Sequence, residues 1–113
     1  MKFTNYDIYN EAIKLVRYTN DMTVPSYCLD FHDHLLEMVV MIPINIARAS
    51  SKYKNSDRAK YLEYAITDAY EAYAYADMLE AVNKELNLKE LKENLDKLTA
   101  MIIKFKQAIM EEW

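Results

Sequence analysis

Residues 42–47 read Ile-Pro-Ile-Asn-Ile-Ala and lie in the middle of an apolar stretch whose spacing is typical of a helix. The segment that follows, residues 48–60, carries five basic side chains and one acidic side chain. An apolar helical motif is therefore followed directly by a positively charged segment. The first part bears on the fold, and the second part is the strongest candidate for a binding surface.

The apolar stretch predicts a long second helix at residues 27–49. Pro25 separates it from the preceding chain, and Ser26 is the expected cap. Pro43 removes a backbone donor and crowds the preceding turn, which costs about 3 kcal/mol in a straight helix, so we expect a kink there. One line of apolar side chains at steps of three and four comprises Phe31, Leu35, Val39, Ile42, Ile46 and Ala49.

The middle of this second helix is apolar on nearly every side. A helix in a lone four-helix bundle needs a single apolar stripe, so the additional apolar side chains should cover something other than the core of the subunit. A subunit interface is the simplest candidate, and a homo-oligomer is expected. The predicted interface residues are Leu36, Met38, Val40, Met41 and Ile44.

Three further helices follow from the same spacing. The first is predicted at residues 6–21, with Asn5 or Thr4 as its cap, and the third from Ser56 to about residue 83. The fourth starts after Asn87, which forms a potential capping box with Glu90. Its heptad line comprises Leu88, Leu91, Leu95, Leu98, Ile102, Phe105 and Ile109. In the third helix, Ala65, Ala69, Ala72 and Ala76 form a smooth packing face.

Short connections between long helices favour antiparallel neighbours. The predicted fold is therefore all-α, an antiparallel up-down-up-down four-helix bundle with a Pro-kinked second helix, in one domain covering residues 1–113. A chain with no Gly and two Pro disfavours the tight turns of an all-β protein. Trp113 is either an anchor or a frayed end.

Composition also bears on the compartment. Cys28 is the single cysteine, so no disulfide within the chain and no cysteine-based zinc site can form, and a buried thiol is expected. The first residues lack the apolar region of a signal peptide. The longest apolar run, residues 38–46, is too short to span a membrane. We therefore expect a cytoplasmic protein with no membrane partner.

The Ile-Pro-x-Asn-Ile-Ala motif, the basic connector and the Lys-Tyr-Leu-x-Tyr-Ala segment at residues 60–65 resemble a bacterial four-helix-bundle family. That family contains proteins encoded by intervening sequences in ribosomal RNA genes and the accessory variability determinants of diversity-generating retroelements. The resemblance implies a homopentamer that, in the retroelement branch, binds a reverse transcriptase and nucleic acid to support mutagenic copying. The intervening-sequence branch has no established activity. Where the family often has Glu-Gly after the motif, this chain has Arg48 and Ala49.

The basic segment has a local charge of +4 in a chain of net charge -4, so the remainder carries -8. Interleaved basic and aromatic side chains suit contact with phosphates and stacking on bases. The alternative is a solvated connector beside acidic neighbouring subunits. The predicted nucleic-acid or partner-binding residues are Arg48, Lys52, Tyr53, Lys54, Arg58, Lys60 and Tyr61.

Two pairs of potential metal ligands lie near the start of the second helix. Asp30 lies one turn from His34, and Asp33 one turn from Glu37. A di-iron bundle needs Glu-x-x-His on two helices, and no other segment supplies a histidine, so we predict an exposed polar face, no metal site and no cofactor. His32 and His34 would make that surface sensitive to pH.

No combination of residue types required for catalysis stands out, since the chain lacks a glycine-rich phosphate loop and a matched nucleophile and base. We predict no catalytic residues and no enzyme. Two hypotheses remain open. The first is a non-enzymatic oligomeric accessory protein that binds reverse transcriptase and RNA or DNA. The second is an acidic, self-associating module that binds proteins through tyrosine-rich helix surfaces, with no nucleic-acid role.

Overall fold

A computed structural model describes residues 1–111, and these residues form helices and no strands. Two short 3-10 segments, Lys2–Asn5 and Ser26–Cys28, precede the first and second α-helices. The four α-helices are α1 (Asp7–Asp21), α2 (Leu29–Ser50), α3 (Asn55–Val82) and α4 (Lys89–Met110). The all-α prediction with four helices is confirmed. Trp113 lies outside the described residues.

The helices enclose one hydrophobic core, to which all four contribute. In α2 the predicted inner line is buried from Leu35 onward, whereas Phe31 is only partly buried. Cys28 is a free, buried thiol, as predicted. The buried apolar residues of α2 are Leu35, Val39, Ile42, Pro43, Ile46 and Ala49.

Helix α3 lies against both α2 and α4, and α1 contacts α2 and α4. The core face of α3 consists largely of small side chains, because Ala65, Ala69, Ala72 and Ala76 are all buried. Alanine adds little bulk between two helix backbones, so neighbouring helices can approach closely on this face. The packing role predicted for these alanines is confirmed.

The predicted heptad line of α4 is confirmed as its core face. Leu91, Leu95, Leu98 and Ile102 are buried, and Leu88, just before the helix, is buried as well. Toward the end of the helix, Phe105 is partly buried and its ring lies 5.0 Å from that of Tyr6. The ring contact joins the end of α4 to the start of α1.

The predicted side-chain caps are wrong for α1 and α2 and are confirmed only in part for α4. Ser26 begins a 3-10 turn, and α2 starts three residues later without a side-chain cap. No side-chain cap bond forms at the start of α1. At the start of α4, Asn87 accepts from the Lys89 amide at 3.0 Å, but the second acceptor is Glu80 of α3, at 2.8 Å from the Leu88 amide. The reciprocal bond from the Asn87 amide to Glu90 that a capping box requires is absent within residues 1–111.

None of the helices within residues 1–111 is long and apolar enough to cross a membrane. Pro43 is buried inside α2, which continues on both sides of it. The helix therefore accommodates the missing backbone donor without ending.

Candidate functional site

The basic segment at residues 48–60 covers the last turn of α2, a four-residue connector and the first turns of α3. Arg48, Lys54 and Lys60 are exposed, and Tyr53 is 99% exposed at the tip of the connector. Lys52, Arg58 and Tyr61 are partly buried. The short connector therefore brings charged and aromatic side chains from two helix ends to one corner of the molecule.

Four of these neighbouring side chains form what we call the lysine–tyrosine cluster: Lys52, Lys60, Tyr61 and Tyr64. The Lys52 Nζ lies 5.0 Å from the centre of the Tyr61 ring. The Lys60 Nζ lies 6.0 Å from the Tyr61 ring and 5.9 Å from the Tyr64 ring. The two rings meet edge to face at 5.4 Å. Sequence reasoning missed Tyr64, although its position one turn after Lys60 was the available signal.

The lysines of this corner form no close ion pair within the described part of the chain. Across residues 1–111, no carboxylate lies within ion-pair distance of Lys52, Lys54 or Lys60. Cation–ring contacts hold two of the lysines beside tyrosines without cancelling their charge. The arrangement combines free positive charge with π faces, which is what contact with a phosphate chain and its bases requires.

The structure gives Arg58 a different setting from the lysines. Its Nε donates to the Lys52 carbonyl at 2.8 Å, and its Nη1 donates to the Asn55 Oδ1 at 3.4 Å. Asn55 in turn donates to the Ile109 carbonyl of α4 at 3.2 Å. Arg58 therefore fixes the shape of the connector that presents the cluster.

Arg48 belongs to a polar cluster between α2 and α3. Its Nη1 donates to the Asn45 Oδ1 at 3.2 Å, and the Asn45 Nδ2 donates to the Asp68 carboxylate at 2.6 Å. Asn45 is 3% exposed, so both of its polar atoms need these partners. Sequence reasoning missed this role, although an amide inside an apolar helical run was a signal.

The environment of Asp68 shifts its ionisation. Burial raises the pKa of the Asp68 carboxyl above its ordinary value, and the nearby Glu71 charge acts in the same direction. The hydrogen bond from Asn45 and the charge of Arg48 oppose the rise in this pKa. The carboxylate therefore remains partly desolvated in a site whose partners offset only some of the cost.

The predicted interface residues of α2 lie at different depths. Met38 packs against the core, and Leu36, Val40 and Met41 are partly buried. Ile44 is 41% exposed. Of the five, Ile44 alone is classed as exposed and leaves apolar surface open on the outer side of α2, and the role of all five in an interface stays a prediction.

The histidines lie in two different environments, so the prediction of one exposed polar face is wrong for His32. This side chain is buried, and its Nε2 donates to the Thr19 carbonyl of α1 at 2.8 Å. His34 is exposed, stacks on Tyr75 at 5.4 Å and has its Nδ1 3.5 Å from Glu37. Residues 1–111 contain no group of three potential His, Cys, Asp or Glu metal ligands.

An ion-pair cluster joins α3 to α4 away from the basic corner. Lys92 contacts Asp77 and Glu80, and its Nζ also lies 5.5 Å from the Tyr73 ring. The hydrogen bonds that Lys92 donates to Asp77 and Glu80 raise the pKa of Lys92, and the Lys92 and Leu88 donors lower the pKa of Glu80. This cluster supports helix packing and the start of α4.

Some tyrosines of α3 lie on the surface. Tyr70 is 67% exposed and borders a groove of about 460 Å³ between α3 and α4, which Tyr73 and Ile103 also line. The described residues thus present three candidate surfaces: the lysine–tyrosine cluster, the outer side of α2 and this groove.

Compared with known proteins, the chain matches no family model, no curated protein and no solved structure.

Proposed function

We propose that the chain is a non-enzymatic, oligomeric accessory protein of a diversity-generating retroelement, which binds reverse transcriptase and RNA or DNA to support mutagenic reverse transcription. The observation that carries the proposal is the lysine–tyrosine cluster, in which unpaired ammonium groups lie beside two tyrosine rings. The resemblance of residues 42–65 to the retroelement accessory family supports the choice of partner.

Single-stranded nucleic acid suits this corner better than a duplex. Sequence-tolerant single-strand binding combines positive charge along the backbone with aromatic side chains on which bases stack. Tyr53 is fully open to a base, and Lys54 beside it is exposed. The Lys60 ammonium group lies beside the rings of both Tyr61 and Tyr64. A ring that can stack on a base and a group that can bind a phosphate are therefore within one side-chain length of each other.

The net charge of -4 confines binding to this corner. One patch of three or four phosphate contacts is weak at physiological salt, because each neutralised phosphate adds only modestly to affinity. Several copies in one assembly raise the effective concentration of the second and later contacts. Self-association is therefore part of the proposal, and the five copies that the resemblance implies stay a prediction.

We also infer that the four helices run antiparallel, up-down-up-down. Two contacts between α3 and α4 support this, since Glu63 contacts Lys106 and Asp77 contacts Lys92, in inverse order along the two helices. The α2 to α3 contacts have the same inverse order. They are His34 with Tyr75 and Asn45 with Asp68. A bend at Pro43 stays part of the proposal, because its ring crowds the preceding turn.

The direct test is fluorescence anisotropy with labelled single-stranded RNA and DNA, across a salt series. Changing Lys52, Lys54 and Lys60 together to Gln should weaken binding at least about tenfold and reduce the slope of log Kd against log salt by about two. The matched control changes Lys84, Lys97 and Lys104 to Gln, three exposed lysines elsewhere. Equal losses in both variants, or no binding by the native chain, would contradict the proposal.

The second candidate function is an acidic, self-associating module that binds proteins through tyrosine-rich surfaces. The exposure of Tyr70 beside the groove between α3 and α4 favours it. A pull-down from the native host with protein and nucleic-acid readout separates the two. The first function predicts reverse transcriptase or nucleic acid that is retained at low salt and lost at high salt. The second predicts a protein partner whose retention is lost in Tyr70→Ala.

A further inference from the structure

One exposed line of α2 carries charged ends and an apolar centre. Glu37, Met41, Ile44 and Arg48 follow one another at steps of four, three and four, which places them on one helix face. This face lies opposite the buried line of the same helix. Glu37, Ile44 and Arg48 are exposed and Met41 is partly exposed. We call these four residues the outer stripe.

The two ends of the outer stripe have opposite charge. Asp30 and Asp33 are exposed one to two turns before Glu37 and extend the acidic end. Arg48 forms the basic end, and exposed Lys54 follows in the connector. Glu37 and Arg48 are eleven residues apart, which is about 16 Å along a helix.

The stripe is complementary to itself when reversed. Glu37 and Arg48 are centred on the point between Ile42 and Pro43, and Met41 and Ile44 are centred on the same point. A two-fold axis through that point brings each Glu37 to the Arg48 of the other copy. It also brings each Met41 to the other copy's Ile44.

We propose that the outer stripe of α2 binds the outer stripe of a second copy of this chain, antiparallel about a two-fold axis. The inference rests on the self-association in the proposed function and supplies its symmetry and register. A two-fold contact produces pairs, in place of the five copies that the resemblance implies. Because such a contact is isologous, both copies use the same patch, and each pairwise contact of the stripe occurs twice in the pair.

Charge selects the antiparallel arrangement. A parallel pair in the same register would place Glu37 against Glu37 and Arg48 against Arg48, and like charges facing each other are strongly unfavourable. The antiparallel pair forms two Glu37 to Arg48 contacts around an apolar centre. Electrostatic complementarity of this kind fixes register and excludes wrong partners.

The subunit already holds Arg48 in place for this contact. Its Nη1 is bound to Asn45, and no other nitrogen of its guanidinium makes a hydrogen bond within residues 1–111. A planar guanidinium with free donors can bind a carboxylate with two parallel bonds. Binding to Asn45 lowers the conformational entropy that Arg48 would otherwise lose on association.

The apolar centre extends beyond the helix. A surface cavity of about 600 Å³ beside Ile44 is lined by Met1, Phe3 and Ala47. A second copy on the outer stripe would cover this cavity as well.

Sedimentation equilibrium of the full-length chain tests the contact through charge reversal. Glu37→Arg alone, or Arg48→Glu alone, should weaken self-association about tenfold or more, because each places like charges across the two-fold axis. The double variant re-forms both pairs with reversed polarity and should return to within about threefold of the native constant. A double variant as weak as the weaker single variant would overturn the proposal, as would native-like association of both single variants.

Arg48→Glu also faces Asp68, so thermal unfolding of each variant must accompany the mass measurement. A second experiment avoids this residue. Met41→Cys and Ile44→Cys chains are mixed under mild oxidation, with the native chain, whose Cys28 is buried, as control. The two-fold contact predicts mixed 41-to-44 disulfides in excess of either homodimer. Predominant homodimers, or no crosslink, would overturn the proposal.

This outcome is separable from the nucleic-acid proposal. Charge reversal at Glu37 leaves Lys52, Lys54 and Lys60 unchanged, and the Gln variants of these lysines leave the outer stripe unchanged. A chain that forms pairs but binds no nucleic acid contradicts the proposed function alone. A chain that binds nucleic acid and self-associates with no response to charge reversal at Glu37 contradicts the two-fold contact alone.

Discussion

Helix α2 has an inner stripe, the buried line from Leu35 to Ala49, and an outer stripe on its other face. The two stripes share the same helical spacing but differ in their exposure to solvent. On the inner side Leu35, Val39 and Ile46 are fully buried. On the outer side Met41 and Ile44 have the same apolar chemistry but remain open between charged ends. The inner stripe is uniform because it only has to exclude water. The outer stripe is charged at its ends, and in the proposed two-fold contact these charges select the register of the partner.

The largest effect is expected on the inner stripe. Leu35→Ala or Ile46→Ala should lower the free energy of unfolding by about 2–5 kcal/mol, because each leaves a cavity in a fully packed site. Chemical denaturation monitored by circular dichroism measures the loss. Ile44→Ala is the matched control at the outer stripe and should cost under about 1 kcal/mol under conditions where the chain is monomeric. Equal losses for the two stripes would remove the distinction between them.

A smaller effect is expected at the polar cluster between the stripes. Asn45→Ala should lower the free energy of unfolding by about 1–3 kcal/mol, because the Asp68 carboxylate loses its buried donor. Asn20→Ala on the exposed side of α1 is the control and should change little. The combined Asn45→Ala and Asp68→Ala variant should lose less than the sum of the single changes. A strictly additive result would show that the two side chains act independently.

The smallest effect is a pH dependence that differs between two carboxylates of α3. The pKa of Glu80 is lowered from 4.5, so its stabilising contribution is present above pH 4.5 and is lost as pH falls through the folded value. Glu80→Gln should therefore lower the melting temperature at pH 7 and have progressively less effect at more acidic pH. Thermal unfolding across a pH series measures both.

In the same pH series, ionisation of Asp68 has the opposite effect on stability from ionisation of Glu80. Its pKa is raised from 3.8, so the ionised carboxyl reduces stability as pH rises through the folded value. Asp68→Asn should raise the melting temperature slightly at pH 7, by an amount that disappears below pH 3.8, while keeping an acceptor for Asn45. If both variants changed stability in the same direction at pH 7, the assigned environments would be wrong.

The helices could be predicted from the sequence because their burial is periodic. From Leu91 to Ile102 an apolar side chain recurs at every turn on the same face of the helix, so several positions predict the same buried face. The alanine face of α3 was readable for the same reason. Helix starts were less predictable, since the Leu88 amide is bound by Glu80 from another helix and no local pattern reveals that partner.

Most residues of the candidate site could be predicted from the sequence, but the hydrogen-bond partners of each residue could not. The sequence identified the basic segment, but the partners that distinguish its members lie at other positions. Arg58 is bound to the connector carbonyl of Lys52, and Arg48 is joined through Asn45 to Asp68 on another helix. His32 was assigned to the surface because its partner, the Thr19 carbonyl, belongs to α1. Contacts between different elements of the fold decide these roles, and a single sequence does not show which elements meet.

The most direct test of the outer stripe as an association surface is the molar mass of the native chain by light scattering, across a concentration series at low and high salt. The account predicts a mass that rises toward twice the 13.4 kDa of one chain at low salt and falls back at high salt as the charged ends are screened. A mass of one chain at every concentration would contradict it. A stable mass of five chains that does not change with salt would contradict the two-fold contact and agree with the number that the resemblance implies.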